Sequence, residues 1–75
     1  MQVNLTAERV AAEVRAEMAR QHASQTALAT ILNTSQAAVS RRLRGQVPFD
    51  VTELETIAGH FGVPVSQFIA PLDAA

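Results

Sequence analysis

The segment from Gln25 to Gly45 constrains the fold most. It contains two short stretches with regularly spaced apolar residues, joined by a very tight connection. Apolar residues recur at helical spacing in both halves, which predicts two short helices that each bury one face. Ser24 and Ser35 precede these helices, where a serine hydroxyl can cap the free N–H groups of a first turn. Asn33 lies between the two helices. Such a tight turn needs a residue with a left-handed backbone, which asparagine tolerates.

The segment resembles the helix-turn-helix of the lambda-repressor and Cro family of DNA-binding proteins, which are XRE-like proteins. The positions that match the family's spacing are Gln25, Leu28, Ala29, Leu32, Ser35, Gln36, Val39, Ser40, Arg41 and Gly45. The resemblance extends from the first helix to Phe68. It implies a compact, all-α domain of five helices over residues 1–75, with the helix-turn-helix at 25–45 and a tail at 70–75.

Two positions depart from the family pattern. Asn33 replaces the usual glycine, which is a mild change because asparagine tolerates the same backbone. Arg42 stands where many members carry an aliphatic residue. Two interpretations of Arg42 remain open: its stem lies along the core with its head in solvent, or the helix is rolled slightly.

The remaining chain predicts three further helices. The first helix is expected to begin at Thr6 as its N-cap and to end near Arg20, followed by a connector at 21–23. Its buried stripe consists of Val10, Val14 and Met18. Asp50 and Glu53 have the spacing of a capping box, so a fourth helix is expected to begin there and to end at Gly62. Its inward face consists of Leu54, Ile57, Ala58 and Phe61.

The end of the chain predicts a short fifth helix over 63–69, with Pro64 near its start and Phe68 closing the core against the first helix. Gly59 lies inside the fourth helix, where glycine costs about 1 kcal/mol relative to alanine. It marks either a close backbone approach or a tolerated weakness.

The formal net charge of −1 argues at first against a nucleic-acid ligand, but the charges are unevenly distributed. All six basic residues are arginines, and the interval 18–49 contains four of them and no carboxylate. The positive charge is therefore concentrated around the helix-turn-helix. The alternative is that Arg41, Arg42 and Arg44 only form a solvated helix face.

The chain offers little for catalysis or metal binding. It has no cysteine, and His22 and His60 are far apart and lack the spacing of a metal site. No isolated acid–base pair is evident, so we expect neither an enzyme nor a cofactor. The start of the sequence lacks the blocks of a signal peptide, and no apolar run is long enough to cross a membrane, which predicts a cytoplasmic protein.

A helix-turn-helix reads the major groove with its second helix, here 36–44. At about 100° per residue, its polar side chains share one face, opposite Val39 and Leu43. The expected base-reading residues are Gln36, Ala37, Ser40 and Arg41. The expected phosphate contacts are Gln25, Thr26, Ser35, Arg44, Gln46 and Arg20. The resemblance further implies that Gln25 and Gln36 brace the recognition helix against the DNA backbone.

The leading hypothesis is a sequence-specific regulator that binds double-stranded DNA at an operator, as a phage or mobile-element repressor or Cro-like protein does. Such proteins usually bind palindromes as homodimers, and the candidate dimer patch consists of Ile69, Pro71 and Leu72. These three residues could equally complete the core. The alternative function is a protein-interaction module on the same scaffold, either antitoxin-like or host-factor-binding.

Overall fold

The structure, a computed structural model, describes residues 5–70 and 72 of the chain. These residues form five helices and no strand, which confirms the expected all-α class. The helices are α1 (Leu5–Gln21), α2 (Gln25–Leu32), α3 (Gln36–Leu43), α4 (Val51–Phe61) and α5 (Ser66–Ile69). Three of them, α2, α3 and α4, begin behind a residue whose side chain caps the first turn.

A single core lies between the helices. α3 packs against both α1 and α2, α4 packs against α2, and α5 packs against α1. Each helix supplies one of the five largest fully buried side chains, which are Val14, Leu28, Val39, Ile57 and Phe68. Burying a side chain of this size contributes about 1.5–3 kcal/mol, so each helix is tied to the shared core by at least one such residue. Phe68 closes the core beside α1, as the sequence predicts.

Four helices end in the same way, with one residue in the left-handed conformation. These residues are His22, Asn33, Gly45 and Gly62, with φ values of 56°, 55°, 77° and 71°. In each case the N–H of the following residue donates to a carbonyl five positions back, as Thr34 does to Ala29 over 3.0 Å. This is the Schellman arrangement, which satisfies carbonyl groups that would otherwise be orphaned. It makes each turn short and fixes the direction in which the next helix leaves.

Several predicted boundaries are wrong by a few residues. Thr6 does not cap α1, because it already lies inside the helix, and α1 continues to Gln21. His22 ends α1 in the left-handed conformation, which the sequence analysis does not predict. The fifth helix begins at Ser66, because the residues at 63–65 are not helical.

The glycines in and around α4 and α3 have different environments. Gly59 is exposed, and a methyl group at its position would meet nothing within 4 Å, so no close backbone approach explains it. Gly45 is buried, and a Cβ there would lie 2.6 Å from Glu8 Cγ and 3.0 Å from Glu8 Cα. The end of α3 therefore approaches the backbone of α1 as closely as only a glycine permits.

The only buried charged residue in the described part of the chain is Glu17, which is 4% exposed. Its carboxylate accepts hydrogen bonds from Gln21 at 2.7 Å, Arg20 at 2.8 Å and Gln67 at 2.6 Å. Gln21 also donates to the carbonyl of Phe61, so α1, the end of α4 and α5 share one network. The hydrogen bonds from Gln21 and Arg20 lower the pKa of Glu17 despite its burial.

We predict that Gly45→Ala lowers the free energy of unfolding by more than Gly62→Ala. Both substitutions force alanine into a left-handed backbone, which costs about 1–2 kcal/mol. Only Gly45→Ala also drives a methyl group into Glu8, which adds about 1 kcal/mol or more. Urea unfolding of the two variants measures the difference, and equal losses would show that the α1 contact is not tight.

The Glu17 network predicts a specific acid sensitivity. A lowered pKa means that the folded state favours the ionised carboxylate, so this stabilisation is present above the ordinary value of 4.5 and is lost as the pH falls below it. Glu17→Gln should therefore lose less unfolding free energy than the unaltered chain between about pH 6 and pH 3. Glu55→Gln, at an exposed position without an ion pair in the described residues, is the matched control. An unchanged pH profile for Glu17→Gln would contradict the network.

Candidate nucleic-acid interface

The helix-turn-helix has the predicted local construction. The Ser24 hydroxyl accepts from the N–H of Ala27 at 3.0 Å, and the Ser35 hydroxyl accepts from the N–H of Ala38 at 3.0 Å. Between the two helices Asn33 is left-handed, and its N–H donates to Thr30 at 3.2 Å. Only 33–35 separate α2 from α3, so the direction of α3 is set by this corner and by the serine cap that follows it.

α3 has two distinct faces. Ala38, Val39 and Leu43 are buried, and Val39 is completely inaccessible. The positions expected to read bases fall on the other face: Gln36, Ala37 and Arg41 are exposed and Ser40 is half-buried. Arg44, immediately after the helix, is exposed as well. The fold thus brings an amide, a methyl, a hydroxyl and two guanidinium groups onto one side of one helix.

The N-terminal ends of α2 and α3 border a shared depression. This open depression of about 530 Å³ is lined by Thr26, Ala29, Thr30, Asn33, Thr34 and Gln36. Five of its six lining residues have polar side chains. Gln25, Thr26 and Ser35 are all exposed beside it, at helix ends whose first N–H groups have no intrahelical acceptor. Such ends favour anions, because the helix dipole and the free N–H groups both attract negative charge.

The arginines around this surface differ in what they bind. Arg41 and Arg44 form no ion pair with the described residues. Arg20 is partly committed, because its Nε lies 2.8 Å from a Glu17 oxygen, although its side chain is 57% exposed. Gln46 is exposed beyond Arg44, and its N–H donates to the carbonyl of Arg41 at 3.0 Å. Among the arginines of this surface, the unpaired ones in the described residues therefore lie at the C-terminal end of α3.

Arg42 does not follow the first of the two interpretations that the sequence allows, a stem along the core with its head in solvent. A slight roll of the helix stays a prediction. The head of Arg42 is not in solvent, because Nε donates to Glu53 at 3.1 Å and Nη1 donates to the carbonyl of Ala38 at 3.1 Å. The Arg42 side chain is only 21% exposed. The Arg42 side chain thus forms an ion pair between α3 and α4.

A second arginine contact was not foreseen from the sequence. The Arg15 guanidinium, on α1, donates through Nη1 to the carbonyl of Leu43 in the last turn of α3. A cation at this end of a helix is favoured by the dipole and satisfies one orphan carbonyl. The two residues are 28 positions apart, and no local pattern links them.

Comparison with models of protein families identifies the family of this chain. The model of the BetR domain matches residues 2–74, which is nearly the whole chain. The chain belongs to the BetR domain family. Searches of curated proteins and of solved structures found no match.

The BetR domain is a small helical domain of the helix-turn-helix type, of the Cro and repressor kind, and it is a regulatory DNA-binding domain rather than an enzyme family. This agrees with the observed faces of α3. Within residues 5–70 and 72, no three histidine, cysteine or carboxylate side chains are grouped as metal ligands. No helix in the same residues has the length and apolar character of a membrane span.

Two other expectations concern the glutamine pair and the dimer patch of this BetR domain. No hydrogen bond joins Gln25 to Gln36 in the described residues, and bracing of α3 by this pair stays a prediction. In the suggested dimer patch, Ile69 is 41% exposed, while Leu72 is half-buried and packs against the core. Pro71 lies outside the described residues.

We predict that Arg15→Met lowers the free energy of unfolding by about 1 kcal/mol, because it leaves the Leu43 carbonyl without its charged donor. Arg9→Met is the matched control, since Arg9 is an exposed arginine of the same helix with no ion pair in the described residues. Chemical denaturation of both variants gives the comparison. Equal effects would mean that the Arg15 contact contributes nothing to stability.

Proposed function

We propose that this BetR domain is a sequence-specific transcriptional regulator that reads the major groove of double-stranded DNA with α3. The observation that carries the proposal is the uncovered polar face of α3, which combines Gln36, Ser40 and Arg41 on a helix fixed at both ends. An α-helix of this width fits the major groove of B-DNA, where each base pair presents a distinct pattern of donors and acceptors.

Each side chain on this face has a chemical counterpart on a base edge. Gln36 can bond to adenine N6 and N7 together, and the Ala37 methyl can contact a thymine methyl. Arg41 can grip guanine O6 and N7, and Ser40 can bond to a base or a phosphate. One good bidentate pair contributes about 1–3 kcal/mol of discrimination against the wrong base.

The surrounding residues supply contacts that are independent of sequence. Gln25, Thr26 and Ser35 lie at the two helix ends that border the polar depression, where they can clamp phosphates and set the register. Arg44 and Gln46 follow α3 and would meet the backbone further along. Arg20 would add a contact through the guanidinium nitrogens that do not face Glu17.

A single domain of this size offers few base contacts, so we propose that it binds a palindromic operator as a homodimer. Half-sites would then be separated by about 34 Å, one turn of the duplex. Exposed Ile69, with Pro71 and Leu72 beside it in sequence, is the candidate contact between the two copies. The resemblance to the lambda-repressor and Cro family suggests a repressor of the phage or mobile-element type.

The test is selection of binding sites from random duplexes, followed by measurement of Kd over a salt series. We expect an enriched site with two-fold symmetry and an affinity that falls steeply with salt, because phosphate binding releases counterions. Gln36→Ala and Arg41→Ala should each raise the Kd for this site by an amount equivalent to about 1–3 kcal/mol. Arg9→Ala removes the same charge from α1 and should have a smaller effect.

Two results would argue against base reading by α3. Binding that is absent, or that does not respond to salt, would contradict the proposal and favour a protein-interaction module. Equal effects of Arg41→Ala and Arg9→Ala would show that only net charge matters, and α3 would then not read bases.

A further inference from the structure

Arg42 differs from the other arginines at the end of α3 in the direction of its side chain. At about 100° per residue, it lies about 160° around the axis from both Ser40 and Arg44. It therefore belongs to the buried side, between Ala38 and Val39. If α3 occupies the major groove, Arg42 points away from the bases.

The guanidinium of Arg42 is held by two partners at once. Nε donates to the Glu53 carboxylate at 3.1 Å, and Nη1 donates to the Ala38 carbonyl at 3.1 Å. A planar guanidinium can reach both because its donors are fixed in a rigid fork, whereas a lysine ammonium has no such geometry. The pair is well shielded, with the two side chains 21% and 19% exposed.

Glu53 is itself fixed by the capping box of α4. One of its carboxylate oxygens accepts from the N–H of Asp50 at 3.0 Å, and its own N–H donates to the Asp50 side chain at 2.7 Å. That same oxygen accepts from Arg42. The first turn of α4 and the last turn of α3 therefore share one acceptor atom, although α3 packs mainly against α1 and α2.

We propose that Arg42 and Glu53 are positioning residues for DNA recognition: their ion pair fixes the rotation of α3 relative to α4 and so aims Gln36 and Arg41 at the base edges. The inference rests on the proposed function of α3. Base recognition depends on this aim because hydrogen bonds weaken steeply when they bend. Phosphate attraction depends mainly on charge, so it tolerates a small rotation.

The first experiment compares Arg42→Lys with Arg9→Lys, two variants that keep every charge. Arg9 is exposed on α1 and has no proposed contact with DNA. Kd is measured for the selected site and for an unrelated duplex over a salt series, below the unfolding midpoint of each variant. Arg42→Lys should raise the Kd for the selected site about tenfold or more, which is the effect of losing one bidentate contact. Its Kd for the unrelated duplex should stay within about twofold, with an unchanged salt slope. Arg9→Lys should preserve both, because it keeps the charge at an exposed position of α1 outside the proposed interface.

The second comparison, Glu53→Ala with Glu55→Ala, removes one negative charge from α4 in each case. Charge alone would strengthen DNA binding in both variants. We expect Glu55→Ala to follow that trend and Glu53→Ala to bind the selected site about tenfold or more weakly, because it frees Arg42. Should one of Arg42→Lys and Glu53→Ala fail to fold, the other carries the test.

Three results would overturn the inference. If Arg42→Lys leaves the Kd for the selected site unchanged while its melting temperature falls, the ion pair is only structural. If it weakens both duplexes equally, or lowers the salt slope, Arg42 contacts phosphate directly. If Glu53→Ala matches Glu55→Ala, the carboxylate does not position α3. Failure of the proposed function is separately visible, because the unaltered chain would then show no salt-dependent DNA binding.

Discussion

The left-handed corner at Asn33 is the constraint on which the remaining structure depends. It lets α2 end and α3 begin within three residues, and the Ser35 cap then fixes the first turn of α3. Only three residues connect the two helices, so α3 cannot rotate freely relative to α2. Burial of Leu28 on α2 and Val39 on α3 therefore determines which side of α3 faces outward. The polar face is thus a consequence of the turn and of two apolar side chains.

Net charge describes this domain poorly, because its arginines have unlike roles. Arg15 and Arg42 bind other parts of the chain: Arg15 donates to a carbonyl at the end of α3, and Arg42 donates to Glu53. Arg41 and Arg44 remain unpaired among the described residues and lie on the outward side. The sequence contains no carboxylate between residues 18 and 49. A chain with a formal charge of −1 can therefore present a locally basic surface.

Features with a local cause could be predicted from the sequence. The serine caps, the Asn33 corner and the Asp50 capping box each depend on residues within a few positions of one another, and all were found. The missed features are contacts between distant positions, such as Gln67 with Glu17, which are 50 residues apart. A local signal also failed at the start of the first helix, because Thr6 has the side chain of an N-cap but lies inside α1. The roles of the site residues are still predictions.

The central claim is that α3 and the N-terminal ends of α2 and α3 form the surface that meets DNA. The most direct test is an NMR titration of the isotope-labelled domain with a duplex containing its selected site. Shifts of the backbone amides should be largest over 36–44 and at Gln25 and Thr26, with little change at exposed Glu55 on α4. Shifts concentrated around Ile69, with α3 unaffected, would contradict the account.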